Sequence, residues 1–433
     1  MRVSRLCVLF GALLVSATVA LAGGSWPQFR GPTLQGVADD KNLPVVLDEK
    51  TGVVWKTAVH GKAWSSPVVA DGKVWVSTAT PDGKKLSIIR LDAATGKVEL
   101  DEVLFEVVNP QFCHAFNSYA SPTPVIEGDR IYVTFGSPGT ACLDAKSGKK
   151  IWERTDFVCN HFRGAGSSPI LWQDRILLNY DGSDFQFVAA LNKVTGATIW
   201  RTDRTADYKD IDPKTSKPKA DGDFRKGFST CRVVSMGGTE QLLSVGGKAA
   251  YGYDLATGKE LWRMDFAPLG IESHTPAFTP VVGDGLIYLA TGHGKGELLA
   301  IKTDGLKAGG TTGESQVAWR LKKNVPNRSS ALLHDGLLYI TDDSAIASCL
   351  DAKTGQEYWK ERIGGKGFSA SPMFADGRIY FFSEGGVVTT IEPGKTLKKL
   401  GEGEFADGFM NSPAIVDNAF ILRTKTSVLR VQK

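Results

Sequence analysis

The 433-residue sequence lacks the compact motifs by which many enzymes are recognised. It contains no Gly-x-Ser-x-Gly elbow, no His-Glu-x-x-His motif and no phosphate-binding P-loop. Its six cysteines form no Cys-x-x-Cys pair, which argues against the usual redox and zinc motifs. An excess of one charge is also absent, since 51 basic residues oppose 47 acidic ones. Nothing here indicates nucleic acid or an anionic membrane as a partner, and we assign no catalytic residue and no metal site.

What the sequence does contain is a repeated phrase. Leu91-Asp92-Ala93-Ala94-Thr95-Gly96 returns with small changes at Leu143 to Gly148, Leu191 to Gly196, Tyr253 to Gly258 and Leu350 to Gly355. Four residues after the glycine, most copies have a tryptophan: Trp152, Trp200, Trp262 and Trp359. A fixed phrase at a fixed spacing is typical of one supersecondary unit repeated along a chain.

A second repeated element is a Ser-Pro or Thr-Pro pair that leads into an apolar run. The clear copies are at Ser66, Thr123, Ser168, Thr279, Ser371 and Ser412, and weaker copies are at Thr230 and Ser330. The mean spacing is about 49 residues, within the range of propeller repeats.

These two series predict an all-β, eight-bladed β-propeller of four-stranded antiparallel blades. Asp accepts backbone N–H groups in the third turn, Gly supplies a positive φ, and Trp packs against the neighbouring blade. The tryptophan series begins at Trp55, before any Ser-Pro pair. Val53 to Thr57 should therefore be the fourth strand of a last blade whose other three strands lie within Ser412 to Val431. Seven blades is the alternative if the Thr230 copy is not a blade.

The amino terminus predicts export. Arg2 and Arg5 precede an apolar run from Leu6 to about Ala20, and Ala20-Leu21-Ala22 fits a cleavage site, so residues 1–22 are interpreted as a signal peptide. An uncleaved membrane anchor is the alternative, although the run is short for a span. We expect residues 23–50 to be a lead segment and residues 51–433 a single propeller domain. The mature protein should be periplasmic or secreted, monomeric and without a membrane anchor.

Two cysteines could be linked in an oxidising compartment. Cys113 and Cys159 both lie in loops that lead into neighbouring blades, so a disulfide between them and two free thiols both remain open. Cys142, Cys231 and Cys349 lie within strands and are expected to be small buried hydrophobic residues.

A candidate ligand or partner face follows from the propeller topology. Loops from the fourth strand of one blade to the first of the next share a face with loops between second and third strands, and binding residues are often on such loops. Most histidines map to this face, together with aromatic and basic residues. The candidate residues are His60, Trp64, His114, His161, Arg163, His274, His293 and Arg328. A pocket formed by these residues and an ordinary collection of polar loop residues are both compatible with the pattern.

The repeated Leu-Asp-Ala-Lys-Thr-Gly-x-x-x-Trp, with Ser-Pro and Asp-Gly-Arg-Ile-Tyr, resembles the pyrroloquinoline-quinone (PQQ) repeat of quinoprotein-like propellers. The lead Trp26-Pro27-Gln28-Phe29-Arg30-Gly31 is similar to the start of exported bacterial proteins of this group. One branch contains PQQ-dependent alcohol dehydrogenases, which use calcium, an adjacent Cys-Cys ring and an Asp base. Another contains non-enzymatic scaffold propellers of the outer-membrane β-barrel assembly machine.

This chain has no adjacent cysteines and offers no match to the calcium ligands or base of the dehydrogenase branch. We therefore expect an exported scaffold protein that binds a protein, peptide or saccharide through its loop-rich face. The alternative is a PQQ- or metal-dependent periplasmic oxidoreductase, with PQQ and calcium as its cofactors.

Overall fold

The structure, a computed structural model, describes residues 24–208, 210–216, 224–236, 238–306 and 309–433. The predicted signal peptide lies outside the described residues. Apart from two short 3-10 turns (Ala267–Leu269 and Glu314–Gln316), the described residues form strands, turns and loops. No helix among them is long and apolar enough to cross a membrane.

The first half of the chain contributes three complete blades and, before them, a single strand, which pairs with the last strand of the chain. In chain order they are β1 (Val53–Ala58); blade 1 with β2 (Val68–Ala70), β3 (Lys73–Ala79), β4 (Lys85–Asp92) and β5 (Val98–Glu106); blade 2 with β6 (Val125–Glu127), β7 (Arg130–Thr134), β8 (Thr140–Asp144) and β9 (Lys150–Arg154); and blade 3 with β10 (Ile170–Trp172), β11 (Arg175–Asp181), β12 (Gln186–Asn192) and β13 (Thr198–Asp203).

Blades 4 and 5 carry additional short strands. Blade 4 has β14 (Arg232–Met236), β15 (Thr239–Val245), β16 (Ala249–Asp254) and β17 (Glu260–Asp265). Blade 5 and the short strands around it are β18 (Glu272–His274), β19 (Val281–Gly283), β20 (Leu286–Ala290), β21 (His293–Lys295), β22 (Leu298–Lys302), β23 (Gly310–Thr311) and β24 (Val317–Leu321). Of these, β18 pairs with β21 outside the blade, and β23 extends blade 4.

The last three blades return to the regular pattern. Blade 6 has β25 (Leu332–His334), β26 (Leu337–Thr341), β27 (Ile346–Asp351) and β28 (Glu357–Arg362). Blade 7 has β29 (Met373–Ala375), β30 (Arg378–Phe382), β31 (Val387–Glu392) and β32 (Lys398–Glu404). Blade 8 has β33 (Ala414–Val416), β34 (Ala419–Arg423) and β35 (Ser427–Gln432), and β1 completes it by pairing antiparallel with β35.

The eight-bladed prediction is therefore confirmed, and the alternative of seven blades is wrong because the Thr230 copy leads into a complete blade 4. The predicted closure of the ring by Val53 to Thr57 is also confirmed. Pairing the two ends of the described chain in one sheet leaves no broken blade in the ring.

The repeated phrase makes the third turn of a blade and joins it to the preceding blade. In the copy at Asp92, the Asp92 Oδ1 accepts the Thr95 N–H at 2.9 Å and the Thr95 hydroxyl at 2.8 Å. Gly96 has a φ of 72°, and its Cα faces the ring of Trp55 so closely that a Cβ would lie 2.5 Å from Trp55 Cδ2. The Trp55 indole N–H donates to the Ala93 carbonyl. The same arrangement recurs at Trp152, Trp200 and Trp319.

The Ser-Pro series forms a ring of hydroxyl groups around the central channel. In six of the eight blade interfaces, the Ser or Thr N–H of one blade donates to the hydroxyl of the corresponding residue in the next blade. These bonds run from Ser66 to Thr123 (2.9 Å), Thr123 to Ser168 (2.9 Å), Ser168 to Thr230 (3.0 Å), Thr279 to Ser330 (2.9 Å), Ser330 to Ser371 (2.9 Å) and Ser371 to Ser412 (3.0 Å). We call the eight residues at this position the hydroxyl ring.

The lead segment closes one end of the channel. Trp26 pairs with Val69 of blade 1, and the Pro27 carbonyl accepts the Ile126 N–H of blade 2. Arg30 reaches the Ala331 carbonyl of blade 6 at 2.7 Å, and Val37 pairs with Phe374 of blade 7. These contacts lie near the turns between first and second strands, so the lead segment covers the face opposite the loop-rich one.

The end of the lead segment packs along the outer strand of blade 7. The chain at Val45 to Leu47 passes close to β32, where a Cβ on Gly401 or Gly403 would clash with it. The Glu49 N–H then donates to the Glu404 carbonyl at 3.0 Å. The lead segment therefore covers β32 on this blade.

Candidate functional site

A cavity of about 470 Å³ opens at the centre of the loop-rich face. This volume falls within the range of small-molecule and side-chain pockets. Its walls come from loops of blades on all sides of the channel. Its upper walls include aromatic, basic and small side chains: Trp64, His114, Phe116, Arg163, Phe228, His274, Thr275, Ala277, His293, Arg328 and Met410.

The hydroxyl ring and the lead segment form the lower part of this cavity. Ser66, Thr123, Ser168, Thr230, Thr279 and Ser412 of the ring line it, and Phe29 of the lead segment reaches it from below. Because the lead segment covers the opposite face, the cavity is closed at one end and open toward the loops.

The cationic side chains of the cavity are held in different ways. Arg328 lies between Asp343 and Glu384, with 3.0 Å from its Nη2 to an oxygen of each, and its guanidinium stacks over the Phe116 ring at 4.4 Å. The Arg163 guanidinium lies 5.4 Å from the Phe162 ring centroid. Among the described residues that line the cavity there is no Asp or Glu.

Two of the histidines are brought together by a two-stranded ribbon. β18 and β21 pair so that His274 lies opposite His293, with ring centroids 6.2 Å apart. The glycines around His293 are needed for this crossing, since a Cβ on Gly296 would lie 1.7 Å from the Gly292 carbonyl oxygen. Burial lowers the pKa of His293, Asp343 raises it, and the nearby His274, Arg328 and Arg163 lower it further.

The backbone is strained at two points on the cavity wall. Arg163 has a φ of 78° and Thr275 has a φ of 50°, both in the left-handed region. A β-branched residue such as Thr rarely adopts this conformation, and such strain is concentrated at functional sites in proteins. Two residues of the candidate site therefore hold this unfavourable backbone conformation.

The structure brings six of the eight candidate residues together and places two elsewhere. Trp64, His114, Arg163, His274, His293 and Arg328 line the cavity. His60 instead lies at the rim, where its Nε2 pairs with an Asp101 oxygen at 3.0 Å. His161 turns away from the cavity because its ring fits between blades 2 and 3, where its Nε2 accepts the Ser137 N–H at 2.9 Å.

His161 belongs to a separate buried cluster. Lys226 is 1% exposed, and its Nζ lies 3.3 Å from His161 Nδ1 and over the Phe228 ring at 4.6 Å. Burial lowers the pKa of Lys226 to about 8, against partial compensation by Cys159 and Asp181. Burial, and then Lys226, hold the pKa of His161 well below its usual value.

Cys113 and Cys159 are both free thiols, so the disulfide that the sequence left open is not formed here. The Cys113 sulfur lies 3.7 Å from the Arg163 carbonyl, whereas the buried Cys159 sulfur packs 3.6 Å from His161 Nε2. Burial raises the pKa of Cys159 to about 12, which keeps its thiol protonated and unreactive.

Exposed apolar side chains also occur on the loop-rich face. Val108 is 83% exposed, Phe112 59% and Phe185 58%, and all three are on the loop-rich face of blades 1 to 3. Val158 and Phe224 in neighbouring loops are also exposed, and the Phe112 and Phe162 rings lie 6.0 Å apart. Exposed apolar residues that gather on one face are typical of interaction sites.

Sequence reasoning missed the lower half of the site. Phe29 and the hydroxyl ring were assigned only to the lead segment and to the repeat, because their shared position appears only when the ring closes. The regular recurrence of Ser or Thr before Pro was the one available signal, since eight copies on inner strands must face the same channel.

The comparisons with known proteins agree with this architecture. A family model described as outer membrane protein assembly factor BamB matches residues 11–155, 184–325 and 311–400. The structure of BamB from Moraxella catarrhalis covers 88% of this chain and 99% of its own, with 11% identity and a TM-score of 0.56. A europium-containing methanol dehydrogenase covers 94% and 89%, with 13% identity and a TM-score of 0.52.

One curated relative is a tetrathionate hydrolase from Acidithiobacillus ferrooxidans. It is 22% identical over 286 residues, which is 64% of this chain and 51% of that protein. The chain thus spans about half the length of the curated relative it matches. At these identities, the similarity to the solved structures shows the fold alone.

Proposed function

From the premise that this chain belongs to the PQQ-repeat propeller family described as outer membrane protein assembly factor BamB, we propose that it is a non-catalytic binding protein. Its loop-rich face takes up a segment of a partner polypeptide, and one group of that segment enters the central cavity. The protein acts outside the cytoplasm after removal of residues 1–22.

The observation that carries this proposal is the cavity of about 470 Å³, closed below by the lead segment and open only toward the loops. A closed floor means that a ligand enters and leaves on one side, as in a binding pocket and not in a through-channel. The eight rigid blades fix the loops around it, which lowers the entropic cost of ordering a site.

The exposed apolar loops support a polypeptide partner. Val108, Phe112 and Phe185 add exposed apolar surface to the loop-rich face, which suits an extended segment lying across the loops. Membership of a family described by an outer-membrane protein assembly factor supports a protein ligand in the same way.

The donor set of the cavity does not fit the calcium and PQQ of a quinoprotein oxidoreductase. Calcium takes oxygen ligands, above all carboxylates. The described residues that line the cavity include no carboxylate. In the part of the chain that the structure describes, no group of three His, Cys, Asp or Glu side chains could hold a metal. A carboxylate base in the cavity is missing for the same reason, so we derive no step through that cofactor.

Selection from a displayed library of random short peptides tests the proposal. We expect peptides that bind the wild-type protein and lose binding to Ala277→Trp, because the indole fills the cavity. Ala94→Trp, in an exposed turn of blade 1, is the matched control and should bind normally. Absence of any enriched peptide, or equal binding to Ala277→Trp, would contradict the proposal.

Two further measurements address the other parts of the proposal. Reconstitution with PQQ and calcium should give neither a saturable thermal shift nor dye-linked alcohol oxidation, and turnover would overturn the non-catalytic assignment. Amino-terminal sequencing of the protein from the cell envelope should begin after Ala22, and an intact amino terminus would remove the predicted cleavage.

A further inference from the structure

We infer that the central cavity recognises an acidic group, such as a carboxylate, carried on an apolar body. This inference rests on the proposed function, because it names the chemistry of the group that enters the same cavity. It is carried by the polar groups of the cavity and by three buried cations around the channel.

The first support is the sign of the groups that line the cavity. Arg163, Arg328 and three histidines contribute cationic or donor groups, and the described lining residues contain no carboxylate. Asp343 and Glu384 offset the charge of Arg328, and neither belongs to the lining. A ligand in the cavity therefore contacts cationic and donor groups and no carboxylate of the described lining, and charge-assisted hydrogen bonds to an anion are stronger than those to a neutral acceptor.

The hydroxyl ring adds donors at the bottom of the cavity. Thr123, Ser168 and Thr230 use their oxygen atoms to accept N–H groups from the preceding blade. Each of the three hydroxyls can also donate its own proton, and among the described groups none of them donates a hydrogen bond. A ring of O–H groups that face one cavity is suited to bind the oxygens of an acidic group.

The second and independent support is the set of uncompensated cations next to the ring. Arg30, in the lead segment, is fully buried, and its Nη2 donates only to the Gln35 and Ala331 carbonyls. Arg232 donates to the Pro280 and Thr33 carbonyls, and Arg423 to Ser65 and to the Ser77 carbonyl. Within the described part of the chain, no carboxylate forms an ion pair with these three.

Their environment makes this arrangement costly. Arg30 Nε and Nη1, Arg232 Nε and Arg423 Nε are buried and have no hydrogen-bond partner among the residues that the structure describes. Burial, and after it the charge of the neighbouring Arg232, lower the pKa of Arg30 to about 9. Buried guanidinium groups normally have an anionic partner, so the channel has an excess of positive charge that an acidic ligand would offset.

The walls determine the rest of the ligand. Trp64, Phe116, Phe228 and Met410 line the cavity, and Phe29 reaches it from below. These side chains present apolar and aromatic surface, which favours an apolar body over a strongly hydrated ion. Inorganic sulfate should accordingly bind more weakly than an aromatic acid.

Isothermal titration with a matched pair of probes, 2-naphthoate and 2-naphthamide, tests the charge requirement. The two differ mainly in charge, so we expect the acid to bind at least about tenfold more tightly than the amide. Arg163→Gln should remove most of this difference, and Arg201→Gln, on the outer strand of blade 3, should not. Equal binding of acid and amide to the wild-type protein would overturn the inference.

Proton uptake provides a readout that needs no variant. A bound anion should raise the pKa of His293, as the carboxylate of Asp343 does. It would oppose the effects of His274, Arg328 and Arg163, which lower this pKa. Titration near pH 6.5 in two cationic buffers of different ionisation enthalpy should then show net proton uptake with 2-naphthoate and none with 2-naphthamide. No uptake with the acid would count against a bound anion next to His293.

The outcomes separate this inference from the proposed function. If peptides bind in a cavity-dependent manner but their affinity is unchanged by amidation of the carboxyl terminus and by Asp→Asn or Glu→Gln exchanges, the inference fails alone. A loss on amidation assigns the acidic group to the peptide terminus, and a loss on side-chain exchange assigns it to Asp or Glu. If 2-naphthoate binds but no peptide does, the anion chemistry stands and the polypeptide partner is wrong.

Discussion

At the scale of single residues, the glycine of the repeated phrase has two roles: it adopts a positive φ in the turn, and it leaves room for the tryptophan of the preceding blade. Gly196 has a φ of 74°, and a Cβ there would lie 2.7 Å from Trp152 Cδ2 of the preceding blade. Gly72 has a φ of 69° with nothing within 4 Å of a built Cβ. Both glycines need a positive φ, but only Gly196 is packed against a tryptophan. Comparing substitutions at the two positions therefore distinguishes the cost of backbone strain from the cost of lost packing.

We expect Gly72→Ala to lower the free energy of unfolding by about 1 kcal/mol, the cost of a left-handed alanine. Gly196→Ala should lower it by about 2–4 kcal/mol, because it also displaces the tryptophan. Urea unfolding of both variants measures the difference. Equal destabilisation would mean that the glycine serves only the turn.

Lys226 gives a pH-dependent prediction. Its pKa is about 8 in the fold and about 10.4 when unfolded, so between these values the unfolded chain binds more protons and stability rises with pH. Below pH 8 the fold carries the full cost of the buried ammonium group. Lys226→Met should thus be more stable than the wild type by about 1–3 kcal/mol at pH 7, and the gap should shrink toward pH 10.

The comparison with Lys84→Met controls for other groups that titrate in the same range, since Lys84 is exposed. Its difference from the wild type should not change between pH 7 and pH 10. A Lys226→Met variant that is less stable at pH 7, or whose difference is independent of pH, would contradict the account of the buried cluster.

Some of these residue roles were predictable from the sequence and others were not. The Asp and Gly of the phrase, and the packing of Trp on the next blade, follow from turn chemistry and repetition. His161 and His60 could be assigned to the correct face but not to the cavity, because a loop side chain is placed by contacts such as Ser137 and Asp101 that are distant in sequence.

At the scale of elements, the Ser-Pro position shows why the inner strands are short. The first strand of blade 7, β29, begins only at Met373, after the Ser371-Pro372 pair. The Ser371 N–H is directed to the Ser412 hydroxyl, and Pro372 has no N–H to donate, so the ladder starts only after them. At the Ser-Pro position, hydrogen bonds between neighbouring blades take the place of hydrogen bonds between strands of one blade.

Ser168→Ala and Ser66→Ala test the hydroxyl ring. The Ser168 hydroxyl accepts the buried Thr123 N–H, so its removal leaves that donor unpaired and should cost about 1–3 kcal/mol. The Ser66 hydroxyl has no hydrogen-bond partner in the described part of the chain, so Ser66→Ala should be close to neutral. Chemical unfolding measures both, and a neutral Ser168→Ala would show that the ring does not join the blades.

At the scale of the whole molecule, closure of the ring places residues from distant parts of the chain around one cavity. Phe29, Trp64 and Met410 lie at the two ends of the sequence yet line the same space. The number of blades and the closing strand were predictable because repetition alone sets them. The floor made by the lead segment was not, because residues 24–50 contain no copy of the repeat.

We propose that this cavity, which opens toward the loops, binds an acidic group on an apolar body. A crystal structure grown with 2-naphthoate tests it most directly, with Ala277→Trp crystals grown in the same way as a control. The account predicts the naphthyl ring among Trp64, Phe116 and Phe228, the carboxylate toward the hydroxyl ring, and no ligand in Ala277→Trp. A cavity that stays empty at saturating 2-naphthoate, or a carboxylate that points to solvent, would contradict it.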